Sequence, residues 1–127
     1  MTTIRSLMTS QVISVRPDAS VADALRLLMA HRISGLPVVE KDMTIVGILS
    51  EKDVLKVFYE DVESVASLMT RNPTTLSVDA PLVDAFDVLM ANDFRRVLIH
   101  EKGKLVGLIS RADLMPVLLE ALLERSS

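Results

Sequence analysis

Half of the 127 residues are hydrophobic, and no apolar run approaches the roughly 18 residues of a membrane helix, so the composition is that of a globular protein. The absence of cysteine excludes disulfides and thiolate metal sites, and two histidines give little material for a metal centre or a catalytic triad. The net charge of −3 argues against nucleic acid, because phosphate binding needs clustered Lys and Arg. The first residues also lack the apolar stretch of a signal peptide, so we expect a cytoplasmic protein that does not insert into a membrane. No nucleophile and base pair or metal cluster is visible in the sequence, so we do not expect an enzyme.

The sequence contains two copies of one unit, offset by about 60 residues. Three segments recur in the same order: SLMT at Ser6 and Ser67, VADALRLLMA at Val21 and LVDAFDVLMA at Leu82, and IVGILSEKD at Ile45 and LVGLISRAD at Leu105. We place the first repeat at residues 1–60 and the second at residues 61–127.

The elements of the first repeat can be taken in chain order. A β-branched run at Val12–Val15 is followed by a turn and by a helix from Val21, whose apolar residues recur at helical spacing. Two apolar runs joined by a polar turn, Leu36–Val39 and Ile45–Leu49, predict a β-hairpin, and a last helix starts at Ser50. The second repeat has the same order, with strands at 74–76, 97–99 and 105–109 and helices from 82 and 110. The prediction is an α/β (α+β) fold of two β-α-β-β-α repeats, each covering the bare face of the other's sheet.

The final helix carries apolar residues on more than one face, and its Pro116 falls within the first turns, where proline is best tolerated. A core of this size does not bury them all, so the stripe formed by Leu118, Leu119, Leu122 and Leu123 suggests a surface for self-association. We expect a homodimer.

One heptad recurs at the end of each hairpin, as Gly47–Asp53 and as Gly107–Asp113. It consists of Gly, two apolar residues, Ser, two variable residues and Asp. Ser followed by Asp three residues later is typical of a capping box, which satisfies free amides at a helix start. The same geometry suits a ribose diol, with the carboxylate accepting both hydroxyls and the glycine allowing a planar base to approach the strand. Both interpretations remain open from the residues alone.

Taken together, these motifs resemble the cystathionine β-synthase (CBS) domain, and two in tandem resemble a Bateman module of the stand-alone type. The likeness is carried by the LMT entry, the Asp-Ala helix start, the strand ISGLPVV from Ile33 and the Gly-h-h-Ser-x-x-Asp turn, and it covers residues 6–118. It implies two sheets packed about a pseudo-twofold axis. It also implies a regulatory module that binds AMP, ADP, ATP or S-adenosylmethionine as a ligand, requires no cofactor or metal, and signals to a partner protein of unknown identity.

The resemblance further implies two clefts, each combining the Ser–Asp turn of one repeat with strands of the other. In the first cleft, Ser and Asp hold the ribose, Pro, Thr and Val contact adenine, and two arginines bind phosphate: Ser50, Asp53, Pro73, Thr74, Val97, Arg95 and Arg96. The second cleft has no arginine pair: Gln11, Ile13, Ser34, Gly35, Leu36, Pro37, Ser110 and Asp113.

This difference in charge predicts different ligands for the two clefts. A guanidinium holds phosphate oxygens in a bidentate, charge-assisted way, so the first cleft should prefer nucleotides. The second should take an uncharged adenosyl group or stay empty. Two alternatives remain at this point: Arg95 and Arg96 belong to a solvated loop, and the chain is a ligand-free dimerisation or scaffold module whose Ser–Asp turns are only helix caps.

Overall fold

The computed structural model describes residues 2–91 and 95–126. Helices and strands are mixed along the described chain, and Lys56–Phe58 forms a short 3₁₀ helix. In chain order they are α1 Ile4–Leu7, α2 Val21–His31, β1 Gly35–Val39, β2 Ile45–Ser50, α3 Glu51–Leu55, α4 Val65–Leu68, β3 Thr70–Arg71, β4 Thr75–Ser77, α5 Leu82–Ala91, β5 Arg96–Glu101, β6 Lys104–Ser110 and α6 Arg111–Ser126. The mixed helix and strand fold expected from the sequence is confirmed.

The chain forms two compact units. One, which we name the central unit, is Ile13–Pro73; the other, the terminal unit, combines Met1–Val12 with Thr74–Ser127. The boundary at residue 60 separates two sequence repeats, whereas the units divide the chain after residues 12 and 73. The repeat boundary therefore stays a prediction. Residues 1–12 therefore pack with residues 74–127 and not with the residues that follow them directly.

The central unit is built on the sheet β1-β2-β3. The hairpin of β1 and β2 is antiparallel, and β3 adds antiparallel to β2 through Gly47 opposite Arg71. Val15 forms a parallel bridge to Val38 on the other edge of the hairpin. Of the β-branched run at 12–15, only Val15 pairs in this way, since its backbone N–H and C=O both bond to the hairpin.

The terminal unit repeats this arrangement with the sheet β4-β5-β6. β4 is parallel to β5, and β5 and β6 form the antiparallel hairpin. Thr9 takes the place that β3 has in the central unit, with two backbone hydrogen bonds of 2.8 and 2.9 Å to Leu108. Each SLMT segment thus pairs with the hairpin of the other sequence repeat.

Helices cover one face of each sheet because their apolar residues recur on one side. Ser20 caps α2 by accepting from the N–H of Asp23, and Val21, Ala24 and Leu28 face the core of the central unit. In the terminal unit α5 buries Ala85 and Leu89 against β5 and β6, and Ile4 of α1 is fully buried in the same core. α6 runs for 16 residues with Pro116 inside it, as the sequence indicates. Within the described ranges, no helix is both long and apolar enough to cross a membrane.

Candidate functional site

The first Ser–Asp turn connects β2 to α3 in the central unit. Ser50 is the N-cap of α3, and its hydroxyl accepts from the N–H of Asp53 at 3.2 Å. Asp53 accepts in return from the N–H of Ser50 at 3.0 Å. The arrangement is the capping box expected from the sequence, and it fixes the carboxylate beside the end of the strand.

Asp53 is held by more than its cap. The residue is 5% exposed, and the hydroxyl of Thr70 lies 3.4 Å from both carboxylate oxygens. The ammonium of Lys56 is 3.6 Å from Oδ1. A buried carboxylate is stable only with such partners. The Thr70 hydroxyl and the Lys56 ammonium therefore lie beside the same carboxylate oxygens that a ribose diol would need as acceptors.

The second turn, which connects β6 to α6 in the terminal unit, has the same frame and fewer partners. Asp113 accepts from the N–H of Ser110 at 2.7 Å and from its hydroxyl at 3.0 Å, and both hydrogen bonds use Oδ2. Asp113 is half-buried, and the residue three positions later is Pro116 where the first turn has Lys56. The two aspartates therefore differ in burial and in local charge.

Each turn lies beside the start of its own hairpin. In the central unit Gly35 is opposite Ser50, and the carbonyl of Ser34 accepts from the N–H of Glu51 at 3.0 Å. In the terminal unit Arg96 is opposite Ser110, and the carbonyl of Arg95 accepts from the N–H of Arg111 at 3.0 Å. Polar backbone and side-chain groups are thus gathered at one end of each sheet.

The predicted cleft residues are distributed over both units. For the first cleft, Ser50, Asp53 and Pro73 lie in the central unit, and Thr74, Arg95, Arg96 and Val97 lie in the terminal unit. For the second cleft, Ile13, Ser34, Gly35, Leu36 and Pro37 lie in the central unit, and Gln11, Ser110 and Asp113 lie in the terminal unit. The assembly of these halves into clefts stays a prediction. The side chains of Leu36 and Val97 belong to the hydrophobic cores of their own units.

The glycine of each motif has a role that the sequence analysis missed. A Cβ at Gly47 would lie 2.8 Å from the carbonyl oxygen of Thr70 and 2.9 Å from the sulfur of Met69. A Cβ at Gly107 would lie 2.5 Å from the sulfur of Met8. The space expected to admit a planar base is thus filled by the methionine of an SLMT segment. The sequence contains one indication of this contact: SLMT and the glycine heptad each occur twice, once in each repeat.

In the part of the chain that the structure describes, no three His, Asp or Glu side chains form a group that would hold a metal ion. The central unit has the Asp53 carboxylate as a hydrogen-bond acceptor with the Lys56 ammonium beside it. The terminal unit has the Asp113 carboxylate and the cationic side chains of Arg95 and Arg96.

The class that this fold and these turns define is shown by comparison with known families. The sequence model of the CBS domain matches residues 4–60 and again residues 64–120. The chain therefore belongs to the CBS-domain family and contains two copies of that domain.

The chain is also similar to individual proteins. An uncharacterized 17.7 kDa protein of Acidianus ambivalens is 31% identical, over 94% of this chain and 74% of its own. Inosine-5'-monophosphate dehydrogenase of Methanocaldococcus jannaschii is 30% identical over 82% of this chain, which spans only 21% of that enzyme.

Solved structures are similar to this chain over 95% or more of its length. CBSX2 of Arabidopsis thaliana, in a crystal structure with AMP, has a TM-score of 0.83 and 30% identity, and the match covers 95% of this chain and 98% of that one. A putative acetoin utilization protein of Vibrio cholerae has a TM-score of 0.84 and 21% identity, covering 100% and 98% of the two chains, and it supports the fold alone.

Proposed function

We propose that this chain is a regulatory module that senses an adenosine-containing ligand, AMP, ADP, ATP or S-adenosylmethionine. The observation that carries the proposal is the Ser–Asp turn, which occurs once in each unit with a carboxylate fixed at the end of a strand. The AMP complex of CBSX2, at 30% identity over nearly the full chain, supports the ligand class.

The binding sites we propose are the two clefts expected from the sequence. Asp53 and Asp113 accept the ribose hydroxyls, each in a cleft completed by strands of the other unit, and Arg95 and Arg96 contribute cations to the cleft of Asp53. A carboxylate that accepts two hydroxyls makes charge-assisted hydrogen bonds, the stronger kind. On this basis the cleft of Asp53 prefers nucleotides, and the cleft of Asp113 prefers an uncharged adenosyl group.

We further propose that the module works without turnover, as a cytoplasmic homodimer that signals to a partner protein. Both units leave an apolar groove between helices at repeat-equivalent places: one of about 760 Å³ lined by Leu25, Leu55 and Phe58, and one of about 300 Å³ lined by Phe86, Met115 and Leu118. Phe58 is 86% exposed, which is unusual for a large apolar side chain in a monomer. A second copy of the chain is the occupant we propose.

One observation favours a second candidate function, a scaffold without ligand. Both Ser–Asp turns are closed as helix caps, and Thr70 and Lys56 add further partners to Asp53. In this alternative the repeated motif serves folding alone, and the apolar grooves serve assembly.

A ligand screen separates the two functions. We expect AMP, ADP, ATP or S-adenosylmethionine to raise the thermal unfolding midpoint, because a ligand that binds only the native state stabilises it, by about 2.7 kcal/mol at a hundredfold excess over Kd. Isothermal titration gives the affinity. The double variant Asp53→Ala with Asp113→Ala is the control and should lose the response. If the unmodified chain responds to none of these ligands, the sensing function is wrong and the scaffold is favoured.

A further inference from the structure

The charge partner of Asp53 distinguishes the two Ser–Asp turns. The Lys56 ammonium lies 3.6 Å from Oδ1 of Asp53, with the lysine side chain 53% exposed and the aspartate side chain 8% exposed. The carboxylate is thus fixed in the protein, while the lysine reaches it from solvent on a flexible four-carbon stem. Lys56 is the member of the pair that is able to move.

Ribose binding at Asp53 competes with this ion pair. The carboxylate already accepts from the Ser50 N–H and has the Thr70 hydroxyl 3.4 Å from each oxygen. A diol that donates to the same oxygens takes over part of the acceptor capacity that Lys56 uses. A neutral nucleoside has no anionic group with which the displaced ammonium of Lys56 could pair. A nucleotide carries a phosphate on the same ribose, one methylene beyond the ring, and phosphate is a strong partner for lysine.

We propose, on the basis of the function proposed above, that Lys56 is a specificity-determining residue that moves from Asp53 to the phosphate of a bound nucleotide. The exchange makes the first turn select nucleotides over nucleosides. It requires only residues of the central unit, so it acts in addition to the arginines of the other unit. The second turn has Pro116 at the equivalent position and lacks this selection.

The test compares AMP with adenosine by isothermal titration, in an Asp113→Ala background that leaves one turn in use. We expect AMP to bind more tightly than adenosine. Lys56→Ala should weaken the binding of AMP about tenfold, which is the effect of losing one hydrogen bond to a charged group. The affinity for adenosine should stay equal or rise. Lys56→Arg should keep the preference for AMP, since it keeps the cation.

The matched control is Lys41→Ala, which removes the same charge from the same unit in the hairpin turn, at the opposite end of β1 and β2 from Ser50. It should leave the ratio of the two affinities unchanged. An unchanged ratio in Lys56→Ala, with both ligands still bound, would overturn the role of Lys56 and leave the sensing function intact. If neither AMP nor adenosine binds to the unmodified chain, the proposed role of Lys56 is wrong, and the sensing function is wrong as well only if ADP, ATP and S-adenosylmethionine also give no response.

Discussion

Asp53 and Asp113 occupy equivalent positions in the two repeats, and they differ in how much of the fold depends on them. Asp53 is buried and joins α3, β2 and β3 through Ser50 and Thr70. Asp113 joins only the end of β6 to the start of α6. The same residue type therefore caps a helix in both units and connects three elements in one of them.

This difference predicts unequal effects on stability. We expect Asp53→Ala to lower the free energy of unfolding by about 2 kcal/mol, because it removes a cap and leaves the N–H of Ser50 without its acceptor. Asp113→Ala, at a more exposed position, should lower it by about 1 kcal/mol. Urea denaturation of both variants checks this. Equal losses would show that Thr70 and Lys56 add nothing to the first turn.

Gly47 gives a second prediction for a single residue. A methyl group there meets the backbone carbonyl of Thr70, which a strand cannot easily move, so we expect Gly47→Ala to cost about 1–3 kcal/mol. Gly35→Ala is the milder comparison, since its Cβ would lie 3.3 Å from the backbone oxygen of Leu49 and needs a smaller shift than the 2.8 Å contact at Gly47. The thermal midpoint of the two variants gives the comparison. A loss at Gly35 as large as that at Gly47 would contradict the account.

The sequence predicted the Ser–Asp caps because their hydrogen bonds are local, within three residues. It did not predict that Thr70 contacts Asp53, since the two are 17 residues apart and no period links them. Lys56 was within reach of sequence reasoning, because positions three apart meet on one helix face. The role of Gly47 was missed because a glycine in a sequence indicates that something lies close to the backbone, but it does not identify the neighbouring residue.

At the scale of elements, periodicity was a reliable guide. The helices from Val21 and Leu82 and both hairpins lie where the apolar spacing predicted them, because each buries one face against its own sheet. The same reasoning did not assign the SLMT segments to a hairpin. Their apolar residues indicate that the segments are buried, but burial alone does not determine the hairpin with which they pair.

The pairing of the first SLMT segment predicts a remote effect of an N-terminal substitution. Ile4 is fully buried in the core of the terminal unit, so Ile4→Ala should cost about 2–5 kcal/mol. Hydrogen exchange should increase in β5 and β6 and change little in β1 and β2. Leu27→Ala, in the central unit, is the control and should show the reverse pattern. Faster exchange in β1 and β2 upon Ile4→Ala would contradict the division into these units.

At the scale of the whole molecule, the exposed stripe of α6 carries the prediction of a homodimer. Leu119, Leu122 and Leu123 are 59%, 55% and 62% exposed. We expect Leu119→Glu with Leu123→Glu to shift the chain from dimer to monomer, measured by analytical ultracentrifugation, because charge at a buried apolar contact is costly. Lys104→Glu, which adds negative charge to β6 of the same unit, should leave the dimer intact. A monomeric unmodified chain would refute the proposal.

The attachment of residues 1–12 to the terminal unit also sets an order of events during synthesis. Ile4 and Thr9 leave the ribosome well before Leu108 and Leu114, with which their unit is completed. Residues 13–73 include all the strands of their own sheet, so the pairing of that sheet does not depend on the terminal unit. Residues 1–12 are thus made before the rest of their unit and reach their backbone partners only after β6 has been made.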